Sequence, residues 1–67
     1  DIRWVAVQRG LWVGNAGGEF AGMIETRDGG TYVASDARAR DLGGFSTLAG
    51  SKLAVGRSFD TRPPAAS

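Results

Sequence analysis

Asp28-Gly29-Gly30 is the local feature that most restricts the fold, because it stands between two runs rich in strand-forming residues. An Asp-Gly pair in that position is typical of a type I′ β-hairpin, in which both central residues need a positive φ. The run before the turn is Glu19 to Arg27, and the run after it is Thr31 to Ser35. We therefore expect two antiparallel strands joined by a tight turn at this point.

A further strand is predicted near the start of the chain, where residues 3–8 (RWVAVQ) are mostly aromatic, β-branched or small. Arg9-Gly10 interrupts this run, and apolar residues resume at Leu11-Trp12-Val13. Gly10 marks either a bulge in one long strand or a turn between two short strands, and the sequence leaves both open. Residues 14–18 (GNAGG) are expected to form a loop, because Gly and Asn tolerate the positive φ of tight turns.

One helix is predicted, over residues 48–58. Ser46 or Thr47 can cap its N terminus, because a hydroxyl oxygen accepts a hydrogen bond from a free backbone N–H of the first turn. Gly50 and Gly56 each cost up to about 1 kcal/mol relative to Ala in a helix. Tertiary packing therefore has to stabilise this helix.

The expected fold is α+β: a three-stranded antiparallel sheet, with a first strand that is bulged or split, packed on one C-terminal helix. Residues 36–40 either extend the third strand or loop out, and residues 42–45 (LGGF) are expected to turn back towards the core. Residues 1–60 form this single domain, and the composition of residues 61–67 predicts a disordered tail. The side chains expected in the core are Trp4 or its neighbours Val5 and Val7, together with Val13, Phe20, Ile24, Val33, Leu42, Phe45, Leu48 and Leu53.

The composition argues against an enzyme. The 67 residues include no Cys and no His, so disulfides, thiolate metal sites and the commonest general base are all missing. A two-layer domain of this size is expected to offer little concavity, whereas small-molecule sites occupy about 300–1,000 Å³. We therefore expect no catalysis, no cofactor, no metal and no small-molecule substrate.

No apolar run approaches the roughly 20 residues that a membrane helix needs, so we expect no contact with membranes. The absence of Cys is compatible with a reducing compartment, and a cytoplasmic location is expected.

Two segments carry a resemblance to a known family: FAGMIE at residues 20–25, and LGGFST at residues 42–47, directly before the predicted helix. Their order resembles the plant ethylene-response-factor type of DNA-binding domain and, more loosely, the arm-binding domain of phage tyrosine integrases. The resemblance covers roughly residues 19–55. It implies a sheet that lies in the DNA major groove and reads bases with Arg and Trp.

The outer face departs from that family. Where the plant family has an acidic residue followed by Arg on the second strand, this chain has Met23 and Glu25. Asp41 stands where the family has an aromatic residue. The resemblance therefore implies a shared scaffold with a different reading face.

The positive charge is almost all arginine, with seven Arg against one Lys, and the net charge is +1. Arg suits bidentate contacts to phosphate and carboxylate, although a high genomic GC content also replaces Lys by Arg. The arginines considered as a phosphate-binding set are Arg3, Arg9, Arg27, Arg38 and Arg40. Acidic residues lie close to them in the sequence and cancel much of their field, so ordinary solvated charge is the preferred interpretation.

Trp4 and Trp12 are the largest side chains. A small domain needs its aromatic residues in the core, whereas an exposed Trp anchors interfaces. We expect one of the two to be buried and Trp12 to be exposed.

Two functions from different classes follow. The first is a small non-catalytic binding module or accessory subunit that docks on a protein partner, or on a second copy, through its sheet face or edge. The alternative is a module from a mobile element or phage that reads duplex DNA with its sheet. A helix-free face with apolar residues and mixed charges favours the first, and clustered arginines favour the second. The predicted partner-binding residues are Arg3, Arg9, Trp12, Met23, Glu25, Arg27, Val33 and Arg38.

Overall fold

The computed structural model describes residues 1–61, which form a five-stranded antiparallel sheet with one helix on one of its faces. Each strand pairs with the next one along the chain. The α+β class, with an antiparallel sheet and one C-terminal helix, is confirmed, but the predicted number of three strands is wrong. The elements are β1 (Arg3–Gln8), β2 (Leu11–Ala16), β3 (Glu19–Arg27), β4 (Thr31–Asp36), β5 (Asp41–Phe45) and α1 (Leu48–Asp60).

The two additional strands come from segments whose glycines predicted turns. Gly10 has φ 76° and reverses the chain, so residues 3–13 form parts of two strands and not one bulged strand. β2 then continues through Gly14, which is buried: a Cβ there would lie 2.8 Å from the side chain of Ile2 and 3.0 Å from the ring of Trp4. Glycine in a strand often marks such a close approach, and not the end of the strand.

The predicted hairpin after β3 is present, but its turn is not type I′. Arg27 pairs with Thr31, which leaves a three-residue loop, Asp28–Gly30, with a single turn of 3₁₀ helix. Gly29 and Gly30 have φ values of 68° and 93°. The positive φ that the Asp-Gly signature predicts is therefore supplied by two successive glycines, at the second and third positions of a longer loop.

The core lies between the sheet and α1. Ile24 and Ala34 from the sheet and Val55 from the helix are completely buried. Burying a side chain the size of Ile or Val contributes about 1.5–3 kcal/mol. Partly buried side chains surround these three, namely Ile2, Trp4, Trp12, Tyr32, Leu42, Phe45 and Leu48.

Several residues predicted for the core are elsewhere. Phe20 is 39% exposed because the pairing of β3 with β2 is irregular next to it. Phe20 pairs with Asn15, but Gly14 pairs with Gly22, so Ala21 is an extra residue. This irregularity breaks the alternation that would have placed Phe20 on the same face as Ile24. Val33 pairs with Glu25, so it lies on the sheet face opposite to Ile24.

Other predicted core residues fail for similar reasons of direction. Of the two alternatives in β1, Trp4 packs against the core, whereas Val5 and Val7 are 52% and 53% exposed on the edge strand. Val13 pairs with Val5 on the helix-free face. Leu53 is 64% exposed, because it lies two residues from the buried Val55 and therefore turns away from the core.

The ends of α1 are fixed by threonine hydroxyls. Thr47, one of the two predicted caps, accepts a hydrogen bond from the Gly50 N–H at 3.0 Å. At the other end, the Thr61 hydroxyl donates to the Arg57 carbonyl at 2.9 Å. Thr61 therefore belongs to the helix terminus, and the remainder of the predicted tail, residues 62–67, lies outside the described residues. Among residues 1–61, no helix has the length and apolar character that crossing a bilayer requires.

The position of α1 depends on small side chains. The helix packs mainly on β3, β4 and β5, where Gly22 and Ala34 let Val55 approach the sheet. A Cβ at Gly22 would lie 2.6 Å from the Ser35 carbonyl oxygen and 2.7 Å from Val55 Cγ1. Buried Ser51 keeps its hydroxyl satisfied by donating to the Leu48 carbonyl at 2.7 Å.

We expect Gly22→Ala to lower the free energy of unfolding by roughly 1–3 kcal/mol, because the added methyl group overpacks the contact between helix and sheet. Gly56→Ala is the matched control. Nothing lies within 4 Å of the position of its Cβ, so the better helix propensity of Ala should stabilise the protein by up to about 1 kcal/mol. Urea unfolding followed by Trp fluorescence measures both. Equal stability of Gly22→Ala and wild type would show that the helix does not approach the sheet so closely.

Candidate functional site

The helix-free surface of the sheet, which we name the open face, is the candidate site. Directly opposed residues of antiparallel strands point to the same side, so the register assigns the face of each side chain. Two rows cross its centre: Val5, Val13, Met23 and Ser35 in one, and Leu11, Glu25 and Val33 in the other. They are flanked by Arg3, Asn15 and Phe20 on one side and by Arg27 and Thr31 on the other.

The centre of the open face is apolar. Val5, Val13 and Met23 are consecutive neighbours on β1, β2 and β3, and together they span about 10 Å across the strands. Val5 is 52% exposed, and the other two are half-buried although no element of residues 1–61 covers this side. This arrangement provides a continuous apolar strip that water contacts directly.

The charges on the open face are mixed and separated. Arg27 Nη2 lies 3.3 Å from Glu25 Oε1, in an exposed pair of the kind that contributes at most about 1 kcal/mol. Arg3 lies in the row of Phe20, seven residues from Arg27 along β3, which corresponds to about 23 Å. The two arginines of this face therefore do not form one cationic patch.

Five of the eight predicted partner-binding residues meet on the open face: Arg3, Met23, Glu25, Arg27 and Val33. The other three do not. Arg9 lies in the turn between β1 and β2, and Arg38 lies in the turn between β4 and β5. Trp12 pairs with Ile24 and lies on the helix side.

The prediction of one buried and one exposed tryptophan is wrong. Trp4 and Trp12 are both half-buried against the core, and the Trp12 ring lies 5.9 Å from the Tyr32 ring. The two are on one face because each lies opposite a residue that faces the helix: Trp4 pairs with Gly14, and Trp12 pairs with Ile24.

The turn between β4 and β5 is organised by Asp36. One of its carboxylate oxygens accepts the backbone N–H groups of Arg38 at 2.9 Å and Arg40 at 2.8 Å. The bond from the Arg40 N–H is the main reason that the pKa of Asp36 is lowered; partial desolvation opposes it, and the charges of both arginines add to it. The acid thus holds these two arginines in a local turn away from the centre of the open face.

A groove of about 860 Å³ lies on the opposite side of the sheet, between α1 and the first strands. The expectation of little concavity is therefore wrong, because α1 covers β3 to β5 and leaves Ile2 and Trp4 beside it. Leu53 and Phe59 line the helix wall of the groove. Among residues 1–61, no group of three or more acidic side chains could hold a metal ion.

Sequence reasoning missed Val5, Leu11 and Val13 as members of the site. Val5 and Val13 were assigned to the core, although alternation already separates Val5 from Trp4 and Val13 from Trp12. Given a strand that runs through Gly14, this alternation would have placed both valines together. The missing information was that β2 is a full strand.

We expect Asp36→Ala to lower the melting temperature at neutral pH, because two backbone N–H groups lose their acceptor. A folded-state pKa below the ordinary value means that the ionised carboxylate stabilises the fold above about pH 4. This stabilisation is lost as the pH falls through the folded pKa, so the difference from wild type should shrink at low pH. Asp36→Asn keeps an acceptor oxygen and should retain part of the stability. Thermal unfolding between pH 7 and strongly acidic pH measures the effect, and a difference independent of pH would contradict it.

Comparison of the chain with models of protein families, with curated proteins and with solved structures gives no match.

Proposed function

We propose that the chain is a non-catalytic binding module that docks on a protein partner through the open face. The observation that carries the proposal is the exposed strip of Val5, Val13 and Met23. Protein interfaces combine an apolar centre with a polar rim and are enriched in Met and Arg. Arg3 and the Arg27–Glu25 pair lie beside the strip and would supply such a rim.

Duplex DNA is the alternative partner, and the charges favour it less. A sheet that binds DNA needs several cations on the face that meets the phosphates. On the open face Arg27 is paired with Glu25, and Asp41 pairs with Ser35 on the same side. These carboxylates would repel phosphate.

The LGGFST segment, on which the resemblance to DNA-binding domains mainly depends, has structural roles here. Leu42 and Phe45 pack against the core, and Thr47 caps α1. Any chain that places a helix behind a sheet edge in this way needs such residues. The segment therefore supports a similar local scaffold and gives no support for DNA recognition.

The size of the open face restricts the kind of docking. Five strands spaced about 4.8 Å apart, with about six residues each, present roughly 480 Å². A standard interface buries about 800 Å² on each partner. The module would therefore bind transiently, or as one of several contacts in a larger assembly, which suits an accessory subunit.

Titration with duplex DNA of arbitrary sequence at two salt concentrations separates the two partners. We expect no measurable binding at low salt, because the open face lacks a cluster of free cations. Tight binding that weakens steeply as salt rises would indicate several phosphate contacts and would favour the DNA alternative.

Capture from an extract of the source organism tests the docking face. We expect immobilised wild type to retain specific proteins that Met23→Lys loses, because the new charge interrupts the apolar strip. Ala49→Lys is the matched control, since Ala49 is exposed on α1, on the other side of the sheet, and lines the groove. Loss of the same proteins with Ala49→Lys but not with Met23→Lys would place docking at the groove and contradict the proposal.

A further inference from the structure

β1 is an edge of the sheet that has one feature with which proteins protect edges, a register irregularity between Ala6 and Gln8, and few others. It is the first strand in the order across the sheet, so one side of its backbone has no strand partner among residues 1–61. Five of its six residues are exposed, including Val5, and Val7 is 53% exposed. It contains no Pro, and Arg3 is its one charged residue. An exposed edge of this kind can pair with another strand.

The opposite edge, β5, is poorly suited to the same pairing. Its register with β4 is broken between Asp41 and Gly43, and the Asp41 carboxylate accepts the Gly43 N–H at 2.8 Å. Gly43 has φ 109°, and two successive glycines make a weak strand. The chain also turns directly from β5 into α1, which packs against it. Both edges carry one register irregularity, but β1 pairs regularly with β2 over residues 3–6 and has no packed helix directly beside it. Of the two edges, β1 is therefore the one more open to a further strand.

From these edges we propose that β1 pairs antiparallel with β1 of a second copy of this chain, with the two Val5 residues opposite each other. This inference deepens the proposed docking function by naming one partner. The two-fold axis would run perpendicular to the sheet, so both helices lie on one side and both open faces form one ten-stranded surface. A two-fold contact of this type closes on itself and leaves no β1 edge free.

The side chains of β1 are complementary to themselves in this register. On the open side, Val5 meets its counterpart from the other copy. The two Arg3 charges are at opposite ends of the paired strands, so they do not repel each other. On the helix side, Trp4 lies opposite the small and exposed Ala6 of the other copy, so no bulky pair blocks the approach.

Self-pairing also addresses the small area of the open face. The apolar strip that ends at the exposed Val5 in one copy would continue through Val5, Val13 and Met23 of the second copy. The docking surface would double to about 960 Å², which exceeds the roughly 800 Å² that a standard interface buries on one partner. A protein partner could then contact both halves at once.

Sedimentation velocity over a concentration series from micromolar to millimolar tests the dimer. We expect a species with twice the mass of one chain, and we expect Ala6→Asp to raise the dimer dissociation constant at least about tenfold, because it buries a carboxylate beside Trp4 of the other copy. Ala39→Asp is the matched control: Ala39 is exposed in the β4–β5 turn at φ 66°, which Asp tolerates. A wild type that stays monomeric throughout the series would overturn the proposal.

Cysteine cross-linking tests the register, and the natural chain has no Cys to interfere. Directly opposed strand residues have Cα atoms about 4.5–5.5 Å apart, which a disulfide can span. Val5→Cys should therefore form a covalent dimer under mild oxidation, whereas Ala39→Cys should cross-link no faster than random collision allows. Equal cross-linking of the two variants would overturn the β1 pairing.

Open-face docking can fail without affecting this result, and the reverse also holds. Met23→Lys should lose captured proteins and remain dimeric, because Met23 lies two strands from the edge. Ala6→Asp should become monomeric and still retain those proteins, though more weakly, because Ala6 lies on the helix side. A dimer that Met23→Lys abolishes and Ala6→Asp preserves would show that the open faces pair instead of the edges.

Discussion

The contact of Val55 with Gly22 and Ala34 decides where the helix lies, and the rest of the surface depends on that position. Any side chain larger than hydrogen at Gly22 would meet both the Ser35 carbonyl and Val55. Because the side chains of the sheet are smallest at Gly22 and Ala34, α1 approaches the sheet most closely over β3 and β4. Ile2, which precedes β1, and Trp4 lie beside the helix and line the groove.

This off-centre position leaves three surfaces that no element of residues 1–61 covers. The groove is a by-product of bulky side chains beside a helix that lies over the other half of the sheet. The open face has no helix at all, and its central strip is apolar. The β1 edge is uncovered because α1 packs on β3, β4 and β5, towards the other edge of the sheet. Val5, Val7, Phe20 and Leu53 remain exposed on these surfaces, and association with other chains is the function that we propose for them.

The charges act mainly within the chain. Asp36 organises the β4–β5 turn through two backbone N–H groups, and Arg40 Nε lies 3.7 Å from its second carboxylate oxygen. Glu25 and Arg27 pair along one strand. Each of these acids neutralises an arginine at short range, which explains why the arginines of residues 1–61 form no cationic patch around the apolar strip.

The sequence by itself determined a helix capped by Ser46 or Thr47 and a hairpin at Asp28–Gly30, because caps and tight turns depend on residues close together in the chain. It also determined the antiparallel α+β class, since a hairpin followed by an apolar helix needs a common core. It also placed Met23 and Glu25 on one face of β3, whereas it placed Val33 in the core. Only the tertiary structure decided that the glycine-rich segments at residues 14–16 and 43–44 belong to strands. In the sequence, a glycine that allows close packing cannot be distinguished from a glycine that allows a turn. The face of Phe20 and the position of α1 likewise followed from an irregularity in β3 and from the packing against Gly22, which act between residues far apart in the chain.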